Sequence, residues 1–462
     1  MTEAAFGAPA SIRALLDRLG LPLREVADSP ALNPAQCLQT VILEDAAGSL
    51  LVLFGRDRLL DLRRLSTLTG RTLAATGAGR LRRLLDKHGL GCMPGLPALS
   101  SGACLYDEPL LQQPELLVPS GQPGVLLQMS REAFTRLLGK ARPAALATAL
   151  GDPQRDPERP DADHAQILRA VQALTGQPIQ QRLEVALGIP PLPESAQTII
   201  KLRMDPDTTV DDITRVVERD PLLAAQLVRW AGAGCFGLAG KIRSVEDALV
   251  LALGFERGIN LALGLAPGRA LRLPPGQPEA NASHLQRMAC TAAMNDALSL
   301  AMPASQRPER GLSYLCSLLQ DVGYLALAHV FPQQLSLLCR QIEANPHLHH
   351  NRIEQQLLGI HRDQLGSWLM RSWDMPEELH TALRFQNDPS YAGPHAQYAN
   401  LLCLGNRLLA EHGVGRALPV SLPLALFERL GIDPQQAAGV ADSVMRDAPA
   451  LQAMGARLQQ PG

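Results

Sequence analysis

LLQDVGYLALAHVFP, residues 318–332, is the stretch on which the reading of this chain depends. Leucine, valine and alanine fill it, and its apolar character suits a helix buried on most sides, predicted here over 312–329. A single acid, Asp321, lies among these side chains. A carboxylate buried there needs a partner, because an unpaired charge is strongly disfavoured away from water. The residue before it is Gln320. Its amide nitrogen has no lone pair to give, so the pair lacks the imidazole that would bind a transition metal best.

Outward from this helix, the chain from 189 to its end reads as helical, and the helices mark their own starts. Thr209 with Asp212 and Ser244 with Asp247 have capping-box spacing, and Asp220-Pro221 places an N-cap before a proline at the first helical position. Later helices are predicted near 283–301, 332–344, 351–372, 376–385, 395–411, 422–430 and 434–447. Two surface loops, 267–280 and 302–311, interrupt the run.

IPPLPESAQTIIKL (189–202), RDPLLAAQLVRWAGAGCFGL (219–238), IRSVEDALVLALGFERGINLAL (242–263) and EQQLLGIHRDQLGSWLMRSWDMP (354–376) occur in an order and spacing that resembles the HDOD family. That family is the non-catalytic, signalling-associated branch of the HD superfamily, and the resemblance spans roughly 183–390. Metal-dependent HD enzymes collect a histidine from an early helix, a His-Asp pair and further histidines from later helices. Carried over residue by residue, the resemblance places Met288 at the early position, Gln320-Asp321 at the pair, His361 at a later histidine and Phe385-Gln386 at the final His-His site. One acid and one histidine fall short of the three protein ligands a catalytic metal needs. The expectation is a bundle with no catalytic residue, metal or cofactor. His347, His349 and His350 cluster in PHLHHN and read as a loop without a metal role.

The first third has a different pattern. Ile12, Leu15, Leu16 and Leu19 predict a helix that ends at Gly20, and LQTVIL (38–43) and SLLVLF (49–54) predict strands joined through Asp45-Ala46-Ala47-Gly48. Helical spacing returns at 57–69 and 78–88, followed by short apolar segments and a helix after Ser130. This mixture reads as one α+β domain. GRDRLLDLRRL (55–65), HGLGCMPGLPAL (88–99), LYDEPLL (105–111) and VLLQMSREAFTRLL (125–138) resemble the prolyl-tRNA-editing, YbaK-like family over residues 10–140. In that family a lysine near the start of the first long strand serves deacylation. The resemblance places Gln39 there, while the domain's lysines, Lys87 and Lys140, lie elsewhere. An amide lacks the positive charge that steadies an ester oxyanion, so an editing fold without its chemistry is expected.

The resulting organisation is multidomain: an α+β domain at 1–141, a Pro- and acid-rich linker with a lead-in helix at 142–182, an all-α HDOD bundle at 183–395 and a helical extension at 396–462. With 43 basic and 45 acidic residues the surface as a whole is not a nucleic-acid coat. Between Gly55 and His88, however, Arg56, Arg58, Arg63, Arg64, Arg71, Arg80, Arg82, Arg83 and Lys87 face only Asp57, Asp61 and Asp86. If Arg56, Arg63 and Arg64 shared a face with Arg80, Arg82 and Arg83, tRNA or another polyanion would fit there. The 8 cysteines form no C-x-x-C pair, and no apolar run reaches membrane-span length, so a cytoplasmic protein with reduced thiols and no membrane partner is expected. The expected function is non-enzymatic: a signalling regulator that binds a protein, a nucleotide second messenger or RNA. The alternative is a residual enzyme, either an aminoacyl-tRNA deacylase in the first domain or a metal-dependent phosphohydrolase in the bundle.

Overall fold

Two strands, β2 (Leu38–Asp45) and β3 (Gly48–Gly55), pair antiparallel along their whole length and organise the first part of the molecule. The turn between them closes where Asp45 Oδ1 accepts the Ala47 N–H at 2.8 Å, and Gly48 takes the φ of +125° that favours glycine. Arg71 donates to the same carboxylate, and this hydrogen bond holds Asp45 down at about 2. The computed structural model describes residues 7–29, 31–99, 102–151, 160–175, 191–231, 242, 244–265, 278–415 and 422–446. Cys235, residues 152–159 of the expected linker, residues 267–277 of the first expected loop and the tail beyond Arg446 lie outside them.

The sheet runs β5 (Ala74–Ala75), β2, β3, β6 (Ala103–Asp107), β9 (Arg142–Ala144), with β3, β6 and β9 parallel. A second sheet holds β1 (Glu25–Ala27), β8 (Val125–Ser130) and β7 (Glu115–Pro119), and β4 (Arg58–Leu60) pairs with β10 (Ala147–Ala149). Side chains alternate across a strand, so the hairpin feeds two cores. Leu38, Ile42, Leu51 and Leu53 join residues of α1 (Ala10–Arg18) and α4 (Arg131–Leu138), with Leu81, Leu84 and Leu85 of α3 (Ala78–His88) packed against them. Val41, Leu43, Leu50, Val52 and Phe54 join Leu62 and Leu65 of α2 (Leu62–Thr69) on the opposite face.

Two local expectations are corrected. The stretch 57–69 is not one helix: Arg58–Leu60 is strand, and α2 begins only after Asp61, whose Oδ1 accepts the Arg63 and Arg64 N–H groups at 2.9 and 3.2 Å. Residues 142–149 are not linker but supply β9 and β10. Asp107, 1% exposed, anchors them by accepting the Leu146 and Ala147 N–H groups at 2.8 and 3.1 Å and pairing with Arg58 at 2.8 Å.

The compact units also differ from a plain tandem. The first comprises Met1–Gln154 together with Ser336–Gln356, and the second comprises Arg155–Leu335 with Leu357–Gly462. Residues 336–356, inside the span expected for the HDOD bundle, therefore belong to the α+β unit. Asn345, fully buried, grips β4 with both ends of its carboxamide: Oδ1 accepts the Leu60 N–H at 2.8 Å and Nδ2 donates to the Leu60 C=O at 3.2 Å. Ala344 enters the α2-side core, Arg340 donates to the Leu73 C=O at 2.6 Å, and His347 stands 3.1 Å from the Arg58 C=O with its ring edge-on to Phe54. The expected His347–His349–His350 loop is thus a structural plug, at least at His347.

The second unit is all-α among its described residues. The helix Pro160–Thr175 is tied into it through Asp163, which accepts from Arg384 at 2.6 and 3.1 Å and from Gln364 at 2.8 Å. The capping boxes at Thr209 and Ser244 form as their spacing predicts. Cys290, Met294 and Leu298 of the helix Pro278–Ala301 share a core with Leu401 and Leu404 and, further on, Leu426, Leu430 and Ala437, so the helices after 396 are built into the bundle. The predicted single helices 312–329 and 351–372 are each broken in two, at Gln320–Asp321 and at Gly359, which sits at φ +75°. No helix among the described residues is long and apolar enough to cross a membrane.

Replacing Asn345 by leucine strands two buried backbone groups at Leu60. It should lower the stability of the first unit by about 2–4 kcal/mol in urea titration. Burial, assisted by Arg56, holds the His347 pKa down at about 4 against an ordinary 6.5. The folded unit thus keeps the ring neutral while the unfolded chain takes up a proton. Stability should be fully present above pH 6.5 and should fall as the pH drops toward 4, by on the order of 3 kcal/mol in total. His347→Gln should flatten this dependence.

Candidate functional site

In the second unit, the position that would hold a metal in an HD enzyme is filled by a network of amides and one ion pair. The helix Arg310–Leu319 ends at Gln320, and the chain turns at Asp321 before the helix Val322–Val330. Arg287, one residue before Met288, donates from Nε and Nη2 to Asp321 Oδ2 at 2.9 and 2.7 Å. The guanidinium is 90% shielded from solvent and neutralises the carboxylate a metal would need. Gln320 Nε2 donates to Thr291 Oγ1 at 2.5 Å. Gln386 Nε2 donates to the Gln320 C=O at 3.0 Å and to Asp363 Oδ1 at 3.1 Å, while Asn387 holds the other Asp363 oxygen at 2.9 Å.

The remaining expected positions fall around this network without adding a ligand set. Met288 is buried beside Arg287. His361 begins the helix Arg362–Ser372, where its backbone N–H donates to Gln364 Oε1 at 3.1 Å. Phe385 stacks on Tyr391 with ring centroids 3.9 Å apart and 6° between planes. Among the described residues, no group of three or more His, Cys, Asp or Glu side chains could hold a metal ion. The donor set does not fit the metal that an HD fold implies, since Asp321 is paired with Arg287 and Asp363 accepts from the amides of Gln386 and Asn387. Arg287, Asp363 and Asn387 were not singled out in the sequence. Arg287 adjoins Met288 and Asn387 adjoins Gln386, so the residues next to the degenerate positions were the available signal.

The two helices after this point meet through glycine. A Cβ on Gly323 would stand 2.0 Å from the Arg362 C=O, and one on Gly366 would stand 3.0 Å from the Gly323 N. That close approach sets Arg362 over the Tyr324 ring, 5.0 Å from its centroid.

In the first unit a cavity of about 530 Å³ lies along β2. Gln39, Thr40, Val41 and Ile42 form one wall, with Ala75, Thr76, Leu81, Leu85, Cys92, Met93 and the 122–126 turn around it. Gln39 is therefore at a cavity, and among the described residues no lysine lines it. Among the described residues the cation in the lining is Arg56, which is held by Asp28 in a two-pronged pair at 2.8 and 3.0 Å. Burial raises the Cys92 thiol pKa.

The basic patch is smaller than the sequence implied. Arg56 is engaged by Asp28, Arg58 by Asp107, Arg64 by Asp61 at 3.5 Å and Arg80 by Glu44 at 2.8 Å. Arg63 and Arg64 lie on α2 and Arg82 and Arg83 on α3, helices that pack against opposite faces of the hairpin. The shared face is thereby corrected, because alternation along β2 and β3 sends the two helices to different cores. Arg82, Arg83 and Lys87 remain as an exposed group on α3.

Comparison with known proteins agrees with both halves. The HDOD domain model matches residues 189–389, and the aminoacyl-tRNA editing domain model matches residues 22–137. A crystal structure from Marinobacter aquaeolei VT8, of a protein named as a candidate for signal transduction, is 36% identical, covers 98% of this chain and 100% of its own, and superposes with a TM-score of 0.90. An HDOD domain protein of unknown function from Geobacter sulfurreducens, 16% identical, covers 64% of this chain and 99% of its own at a TM-score of 0.51, which speaks for the fold alone. An uncharacterized protein of Treponema pallidum (strain Nichols) is 22% identical over 204 residues, 44% of this chain and 38% of that protein's length.

Arg287→Ala should leave Asp321 largely buried without its counter-charge and destabilise the bundle by about 2–3 kcal/mol in denaturant titration. Adding Asp321→Asn should recover much of that loss, since the neutral amide needs no cation. Equal losses in the single and double variants would show that the loss does not come from an uncompensated carboxylate.

Proposed function

Because this chain belongs to the HDOD family and carries an aminoacyl-tRNA editing domain ahead of the bundle, we propose that it is a non-enzymatic signalling regulator. It works by recognising a protein, nucleotide or RNA ligand, acts in the cytoplasm and turns over no substrate. The observation that carries this reading is Arg287 on Asp321. The acid nearest to a catalytic position is already satisfied by a guanidinium, and Gln320, Gln386 and Asp363 satisfy one another around it. A bound cation would have to displace Arg287 and would gain few new ligands for doing so. In the editing half, the cavity wall offers Gln39 where a positive charge would steady an oxyanion. The signal-transduction label of the Marinobacter protein, which shares the whole architecture, supports the same reading.

Two assays test it. Cyclic dinucleotides and nucleoside phosphates incubated with the protein and manganese, iron or zinc should remain intact, and aminoacyl-tRNA should release amino acid only at the uncatalysed rate. Turnover abolished by Asp321→Ala would overturn the reading for the bundle, and catalysed deacylation would overturn it for the first unit.

Salt dependence separates the ligand classes. RNA engaging Arg82, Arg83 and Lys87 should give a log–log slope of affinity against salt of about −2 to −3, lost when all three become glutamate. A protein ligand bound elsewhere should show no such loss.

A further inference from the structure

The edge of β2 that borders the cavity is an unfilled strand position, and its chemistry selects an occupant. In an antiparallel strand, successive residues point their N–H and C=O groups to opposite sides. The Cys37 C=O accepts from Arg56 N–H at 2.8 Å, on the β3 side, while the Ile42 C=O accepts from Thr76 N–H at 3.0 Å, on the other. Thr40 has the parity of Ile42, so its N–H and C=O point away from β3. β7 borders that side of β2 at its start, where the Gln36 C=O accepts from the Leu117 N–H at 2.8 Å, and β5 covers it at Leu43 and Glu44, which leaves the Thr40 groups between them facing the cavity. Gln39 Nε2 reaches the Thr40 C=O at 3.5 Å, a contact at the limit of a hydrogen bond. Among the described residues the Thr40 hydroxyl, on a residue only 5% exposed, has no hydrogen-bond partner, and neither has the buried hydroxyl of Thr76, also in the lining.

A residue that presents N–H and C=O together from a strand edge is complementary to one extended residue of another chain. The rest of the lining suits the side chains of such a segment: Val41, Ile42, Leu81, Leu85 and Met93 are apolar. The charges argue against a polyanion. Arg56 is taken by Asp28, and the remaining ionised group in the lining is the carboxylate of Glu343, supplied with Pro346 by the 336–356 segment. A volume of about 530 Å³ accommodates a few residues.

From this we infer that the cavity is a peptide site. A short, extended, apolar peptide pairs the backbone of one residue with Thr40, in the gap between β7 and β5, and presents its free amino terminus to Glu343. The inference rests on the first unit being a binding module and names its ligand class.

The test uses the full chain and three probes: the tripeptide Leu-Ala-Ala amide with a free amino terminus, its N-acetylated form, and the trinucleotide CCA. Calorimetry should detect binding of the free-amine peptide and at least fivefold weaker binding of the acetylated one. Hydrogen exchange at the Thr40 amide should slow at least tenfold on binding. Thr40→Pro removes the donor without removing a β2–β3 ladder bond and should abolish binding. Should that variant misfold, Glu343→Gln, at an exposed position, should still weaken the free-amine peptide toward the acetylated level. No peptide binding, binding indifferent to both substitutions, or preference for the trinucleotide overturns the inference. Catalysed deacylation of aminoacyl-tRNA would instead overturn the binding-module reading beneath it.

Discussion

The carboxamide of Asn345 on both backbone groups of Leu60 is the interaction on which the first unit depends. Strand β4 is only Arg58–Leu60 long and has β10 on one side. Its other edge carries polar groups that would otherwise face an apolar core, and an unpaired buried amide costs more than a made hydrogen bond returns. A side-chain carboxamide carries its acceptor and its donor on separate atoms, so it can meet a backbone N–H and a backbone C=O at once. With Asn345 in place, Ala344 completes the core on the α2 face and His347 can be buried neutral against Phe54. The domain that resembles an editing module is therefore completed by residues nearly two hundred positions beyond its last strand.

The same logic, in which a polar side chain replaces something absent, governs the second unit. An HD-like bundle stripped of its histidines would hold an acid among leucines. Here Arg287 supplies the missing positive charge, and the amides of Gln320, Gln386 and Asn387 supply directional bonds where a metal would have organised the helices. Such a network holds helices in register but has no open coordination position. Its donors are spent on one another, which ties the helices together through directional bonds. The glycine pair Gly323 and Gly366 contributes to the same end by letting two backbones approach closely.

Charge on the first unit shows how a local count overstates a basic patch. The run from Arg56 to Lys87 looks like an electrostatic footprint when read as a string. In three dimensions, Asp28, Glu44, Asp45 and Asp107 reach it from elsewhere in the chain and neutralise Arg56, Arg80, Arg71 and Arg58. Local charge counts omit partners that are distant in sequence, and those partners are the ones folding brings close.

Much of this protein was legible in the sequence. Period-two alternation marked the β2–β3 hairpin, apolar helical spacing marked the bundle, and Thr209–Asp212 and Ser244–Asp247 marked helix starts, because each signal lies within a few residues of its effect. That Gln320 and Gln386 bring amides and Met288 a thioether was also readable, since the identity of a side chain settles which atoms it can offer. Tertiary structure alone decided what satisfies Asp321, because Arg287 is thirty-four residues away and nothing local joins them. It likewise decided that 142–149 is sheet, that 57–69 begins as strand, and that 336–356 completes the first unit. Strand pairing and burial are long-range contacts, and the free energy that selects them comes from partners no sequence window contains.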